Sequence, residues 1–221
     1  MEIEKILKIL YENKDIEKAE GMKRFGIGGK NVLGIPVPFL RKFANQIGPG
    51  HAVALKLWET GIHEARILAS MIDIPKKVTI QQMEFWVRDF DSWDLCDQVC
   101  MNLFNKTPFA YDKAVQWSYQ GLEFIKRAGF TLMATLAVHD KTARDEIFYP
   151  FLARILDEAE DSRNFVKKAI NWALRQIGKR NQNLKQKAIE TAKEMLTNPS
   201  KSAKWIAIDA IRELNDKVFP V

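Results

Sequence analysis

The sequence is poor in the side chains that most hydrolases use to move protons or hold metals. Among 221 residues there are three histidines, His51, His63 and His139, and their spacing fits no metal-ligand pattern. Only two cysteines occur, Cys96 and Cys100, one helical turn apart. Neither a zinc site nor a disulfide is expected, and no cofactor is implied. No apolar run approaches the ~18 residues of a membrane span. Residues 1–18 mix Glu, Asp and Lys, which argues against a signal peptide. The expectation is a protein with no membrane partner, in the cytoplasm, or on the nucleoid if it is bacterial.

Acid is missing from two long stretches. Gly21 to Trp58 holds six bases and no acid; Arg163 to Ile189 holds eight bases and no acid. The net charge is +6, so these two windows leave the rest of the chain at −8. Such segregation suggests a polyanion partner, nucleic acid before membrane surface. A solvated basic face without a ligand is the alternative.

What is present is helical. Ile3, Ile6, Leu7, Ile9 and Leu10 follow a helical period, and Gly21 to Pro38 then breaks it as a loop-like insertion crowded with Gly26, Gly28, Gly29, Gly34, Pro36 and Pro38. Helix-length segments follow, separated at Gly48-Pro49-Gly50, Pro75, Thr107-Pro108, Asp161-Ser162 and Asn198-Pro199. Period-2 alternation is lacking. Four segments place a small residue just after a charged one and before an aliphatic stripe. The small residues are Ala65, Ala128, Ala169 and Ala203. Their spacing fits an all-helical repeat of roughly 30–45 residues, the mark of an α-solenoid of antiparallel helices. A superhelix with a basic concave face, forming one domain over 1–221, is expected; an irregular bundle is the alternative.

Two helices carry unusual residues. At 100° per residue, Lys168, Trp172, Arg175 and Lys179 share one face of a helix whose opposite face is Val166, Ile170, Ala173 and Ile177. Tryptophan among cations, away from the core, suits stacking or sugar packing beside phosphate ligands, or is simply shielded by lysine stems. In Asp91-Ser92-Trp93-Asp94-Leu95-Cys96-Asp97, Asp91 or Ser92 reads as the helix cap with Asp94 completing it. Asp97 has no capping role. It shares a face with Trp93, Cys100 and Phe104, where a carboxylate is partly desolvated unless it is ion-paired. Arg127 is a candidate partner for it, or a phosphate ligand. Gly26-Ile27-Gly28-Gly29-Lys30-Asn31 fails the phosphate-loop pattern, with Arg24 and Asn31 at positions that need Gly and Ser or Thr.

Together these segments resemble the DNA alkylation repair glycosylases built from HEAT-like repeats, the AlkD family, from about Glu17 to Leu214. Lys18 to Phe25, Ser92 to Asp97, Lys126 to Ala128 and Phe165 to Arg175 carry the likeness. The resemblance implies excision of cationic N3- or N7-alkylated purines, such as 3-methyladenine and 7-methylguanine, from duplex DNA by a monomer. It implies Asp97 as catalytic carboxylate, Trp93 and Trp172 as cleft tryptophans and Arg127 as cleft arginine, all on the concave side. Phe25, Lys168, Arg175, Lys179 and Arg180 are expected to contact DNA. Phe25 stands where better-known members have tyrosine; it keeps an aromatic wall and loses a hydroxyl. The chemistry is consistent with these side chains. An alkylated purine is already a cationic leaving group, so one carboxylate that stabilises the developing sugar cation suffices. A non-catalytic DNA binder for damaged or branched DNA, and a protein-interaction scaffold, are the competing expectations.

Overall fold

A computed structural model describes residues 1–28 and 31–219. Among these residues there are thirteen α-helices and no strand. They are α1 (Ile3–Glu12), α2 (Ile16–Lys23), α3 (Val37–Ile47), α4 (His51–Glu59), α5 (His63–Ile72), α6 (Ile80–Arg88), α7 (Trp93–Asn102), α8 (Ala110–Ser118), α9 (Glu123–His139), α10 (Tyr149–Asp157), α11 (Asn164–Gly178), α12 (Gln182–Thr197) and α13 (Lys201–Asn215). The chain divides into two compact units, Met1–Pro108 and Phe109–Val221.

The five short separators read from the sequence fall between helices, but the break expected over Gly21 to Pro38 is narrower, because α2 runs on to Lys23 and α3 starts at Val37. Breaks without Gly-Pro chemistry are also present, at Phe90–Ser92 and between Asp140 and Arg144. At the second, a side chain supplies the stop: the Asp140 carboxylate accepts from the amides of Thr142 and Ala143. Side-chain caps start four helices. Asp15, Thr79, Asn181 and Ser200 accept from amides in the first turns of α2, α6, α12 and α13.

In the first unit, α4 packs on α5, and α5 is flanked by α3 and α7. In the second, α9, α11 and α13 form one row, and α8, α10 and α12 a second row against it. This two-row stacking is the HEAT-like solenoid arrangement. The period is visible in polar links between successive layers. In the first unit, Trp58 to Asp89 and His63 to Asp94 each span 31 residues. In the second, Asn171 to Asp209 and Arg175 to Glu213 each span 38.

The small residues of the repeat, Ala65, Ala128, Ala169 and Ala203, are all completely buried. Beside Ala128, Gly129 lets α9 approach α8 more closely still. A Cβ on it would lie 2.5 Å from the backbone nitrogen of Ser118. The first unit's core is aromatic: Trp58 and Trp86 stack with centroids 3.9 Å apart and planes 4° from parallel. Phe90 and Phe104 pack around them.

The loop between α2 and α3 is fixed where it meets α3. The buried carboxylate of Glu64 accepts from the amides of Leu33 at 2.8 Å, Gly34 at 2.7 Å and Ile35 at 3.2 Å. Gly34 has φ +80° and lies against the backbone of Asp15 and Ala19, so no side chain fits there. Of the residues tested against the phosphate-loop pattern, Gly29 and Lys30 lie outside the described residues.

Candidate catalytic carboxylate and nucleic-acid interface

In the first unit the site residues sit on α7 and the turn after α2. Trp93 is the first residue of α7, and its indole N–H donates to the carbonyl of Phe25 at 2.9 Å. This bond, across 68 residues of sequence, docks the turn after α2 onto the start of α7. Phe25 is 69% exposed. It presents an aromatic surface while its backbone holds the tryptophan. Asp97 follows one turn after Trp93; both are half-buried.

Three expectations for this helix need correction. Ser92 is the cap residue, but no side chain caps the helix; the Ser92 hydroxyl turns to the Asp91 carboxylate at 3.3 Å. Asp94 does not complete a capping box. It accepts from the imidazole Nε2 of His63 at 2.8 Å. Phe104 does not share the Asp97 face, because α7 ends at Asn102 and a short 3-10 turn, Phe104–Lys106, carries the ring into the core.

The His63–Asp94 pair was not foreseen, since the histidines read as scattered. Its only sequence signal is a separation equal to the repeat. Burial pushes the imidazole pKa down, but the hydrogen bond and charge of Asp94, with the charges of Glu64 and Asp91, outweigh it and raise it above the usual histidine value. Burial likewise pushes Asp94 up, and the His63 contact more than reverses this, leaving the carboxyl below the usual range. His63 also lines a hollow of about 380 Å³ with Gly28, Asn31, Arg66 and Asp91. The second oxygen of Asp94, Oδ1, is buried without a hydrogen-bond partner.

In the second unit, α11 carries the expected basic face. Lys168 is exposed, and Trp172, Arg175 and Lys179 are half-buried. The face is not free of acid. Glu213 of α13 forms ion pairs with both Arg175 and Lys179. Asp209 lies 3.7 Å from Arg175 and accepts from Asn171 at 2.7 Å. Burial raises the Glu213 carboxyl, but its bonds to Lys179 and Arg175 prevail and hold it below the usual range. Lys168 has no ion-pair partner among the described residues.

Two expected ligands have internal duties. Arg127 is only 6% exposed and donates to the carbonyl of Phe165 at 2.5 Å, joining α9 to the start of α11. Arg180 donates to the carbonyls of Ala137, Asp140 and Ala143 at 2.6, 2.7 and 3.0 Å. Its guanidinium also lies 4.4 Å from the centroid of Phe148. Ala137 and Asp140 end α9 and Ala143 lies in the loop beyond, so Arg180 acts as a clasp between the helix end and that loop.

A sequence model described as DNA alkylation repair enzyme matches residues 6–214. The chain belongs to the DNA alkylation repair enzyme family. No curated protein matches it by sequence. Among solved structures, a similar one is described as a new family related to the HEAT-like repeat DNA glycosylases with affinity for branched DNA structures. The two share 20% identity and a TM-score of 0.77, over 100% of this chain and 99% of that one. That likeness confirms the HEAT-like repeat fold. A designed armadillo repeat protein in complex with a (KR)4 peptide aligns at TM-score 0.36 and 16% identity, over 79% of this chain and 73% of that one. For this member of the DNA alkylation repair family, no helix among the described residues is long and apolar enough to cross a membrane. No cluster of metal-ligating side chains is found among them either.

Proposed function

We propose that the protein is a DNA glycosylase that removes cationic N3- or N7-alkylated purines from duplex DNA, as one continuous repeat array. The observation that carries this reading is the start of α7. There Trp93 and Asp97 lie one turn apart, both half-buried, so that a carboxylate and an aromatic face stand side by side on one helix. In this reading Asp97 does the chemistry, and the His63–Asp94 pair helps to set the position of the helix.

As the glycosidic bond lengthens, positive charge grows on the deoxyribose and the neutral base departs. Asp97 stabilises that charge and orients the attacking water; the π face of Trp93 supports the same cation. Trp172 packs against sugar, and Lys168 with Arg175 and Lys179 holds phosphates. Arg127 acts through Phe165, as a positioning residue. Release of a neutral base such as uracil needs a proton donor, and in this reading none is supplied to the base.

Asp97→Asn keeps size and removes charge. Single-turnover excision of 7-methylguanine should fall roughly 10²–10³-fold, the scale of one preorganised electrostatic contact. Affinity for undamaged duplex should hold or rise, because the change acts in the transition state. Excision of uracil by the unaltered protein at a comparable rate would refute the charged-leaving-group argument.

A second reading is favoured by the 20%-identical structure described as having affinity for branched DNA, and by Phe25 in place of tyrosine. It is a non-catalytic binder of branched DNA. If the unaltered protein releases no methylated base yet binds junctions more tightly than duplex, this second reading replaces the first.

A further inference from the structure

The start of α13 carries a surface that the proposed reaction does not use. Trp205 is 40% exposed and Ile208 62% exposed. At 100° per residue, Lys201, Ile208 and Arg212 lie within about 60° of Trp205 on the helix. Lys201, Lys204 and Arg212 are exposed. From α11, the Lys167 ammonium lies 4.9 Å from the centroid of the Trp205 ring. Asp209, the acid of α13 nearest to Trp205 in sequence, already accepts from Asn171 and from Arg212 at 2.5 Å.

We propose that this surface is a second nucleic-acid site, which takes an unpaired DNA strand. Trp205 stacks on a base, and Lys167, Lys201 and Lys204 hold the flanking phosphates. Three observations favour this occupant. A large aromatic ring exposed to water among cations is a sequence-tolerant stacking platform, and every base has a face to offer it. The charge around the ring is complementary to a backbone of phosphates. The lysine covers the ring while two fifths of the residue stays accessible, so a second planar group can still reach it. Paired bases are stacked within the duplex and present only edges and backbone. A splayed strand therefore gains from Trp205 what a blunt duplex does not.

This inference shares with the proposed function only the class of partner, and it needs no excision. Binding is measured by anisotropy on three probes of equal length: a blunt duplex, the same duplex with a single-stranded flap, and a free single strand. The unaltered protein should bind the flap roughly tenfold more tightly than the blunt duplex. Trp205→Ala should remove that margin, an effect of about tenfold by the usual worth of one stacked base. Trp205→Phe should keep most of it. Blunt-duplex affinity and excision should be unchanged. Lys201→Glu with Lys204→Glu, both at exposed positions, gives an independent variant and should abolish flap preference. Equal flap and duplex binding by the unaltered protein, or Trp205→Ala without effect on the flap, overturns the proposal while leaving the glycosylase reading intact. Failure to bind any DNA overturns both. Concentration-dependent self-association lost in Trp205→Ala, with no flap preference, would assign the surface to a protein contact instead.

Discussion

Glu213 should make this protein's grip on DNA weaker and less salt-dependent than its basic stripe suggests. Lys168, Arg175 and Lys179 present three cations, but one carboxylate holds two of them. The cluster of these four side chains therefore acts on phosphate as about two charges. Each phosphate neutralised contributes about −0.9 to the slope of log affinity against log salt. The stripe should thus contribute about −1.8, and about −2.7 once Glu213 is neutralised. Glu213→Gln should steepen the slope by about 0.9 and raise affinity at low salt. The gain should shrink by about 3.5-fold between 50 and 200 mM salt, the factor that this slope gives for a fourfold change.

The assay is a titration of labelled duplex at four or more salt concentrations, with melting temperatures measured in parallel. Replacing Lys168, Arg175 and Lys179 by Ala should flatten the slope by about 1.8 in the parent and about 2.7 in the Glu213→Gln background. An unchanged slope in Glu213→Gln, with the melting temperature also unchanged, would refute the idea that this carboxylate competes with phosphate. Weaker binding with a lowered melting temperature would mean that Glu213 mainly secures α13 to α11.

Three further outcomes test the scaffold around the site. Gly129→Ala should cost about 1–3 kcal/mol in denaturant unfolding, because the new Cβ meets the backbone of α8. Trp86→Ala should cost about 3–5 kcal/mol, since the ring is buried and stacked on Trp58. The His63–Asp94 pair predicts a pH effect. A raised imidazole pKa stabilises the fold fully below the free value of 6.5 and loses that contribution as pH rises through the folded value. The lowered carboxyl stabilises the fold above 3.8 and is lost as pH falls through its folded value. His63→Gln should therefore flatten unfolding free energy against pH above 6.5, and an unflattened profile would count against the pair.

The fold was legible because its signals are local. Helical period, small residues and Gly-Pro breaks each act within a few positions, and Ala65, Ala128, Ala169 and Ala203 lie buried where the repeat needs them. One helical wheel also put Lys168, Trp172, Arg175 and Lys179 opposite the buried stripe of Val166, Ile170, Ala173 and Ile177. The wheel for α7 failed at Phe104 because the helix stopped two residues earlier. Contacts to backbone carbonyls were not legible. Arg127 meets Phe165, and Arg180 meets the end of α9, across 37 to 43 residues. No local pattern marks such contacts.

The repeat explains why charge was misread in one way. A stretch without acid from Arg163 to Ile189 looks uniformly basic along the chain. In a stacked-helix fold, however, each helix faces the helix one period on rather than its sequence neighbours. One period beyond Asn171 and Arg175 lie Asp209 and Glu213, and these are the groups they meet. One period beyond Lys168 lies Ile206, which is buried and apolar, so that lysine keeps its charge for solvent. The same shift carries Lys167 to Trp205, which it covers. Charge in this fold is therefore best read at two positions one repeat apart. A cation is available to a phosphate where no acid stands one period on or one turn before that position; Lys179, which falls on Lys217 one period on, is still held by Glu213 one turn before it.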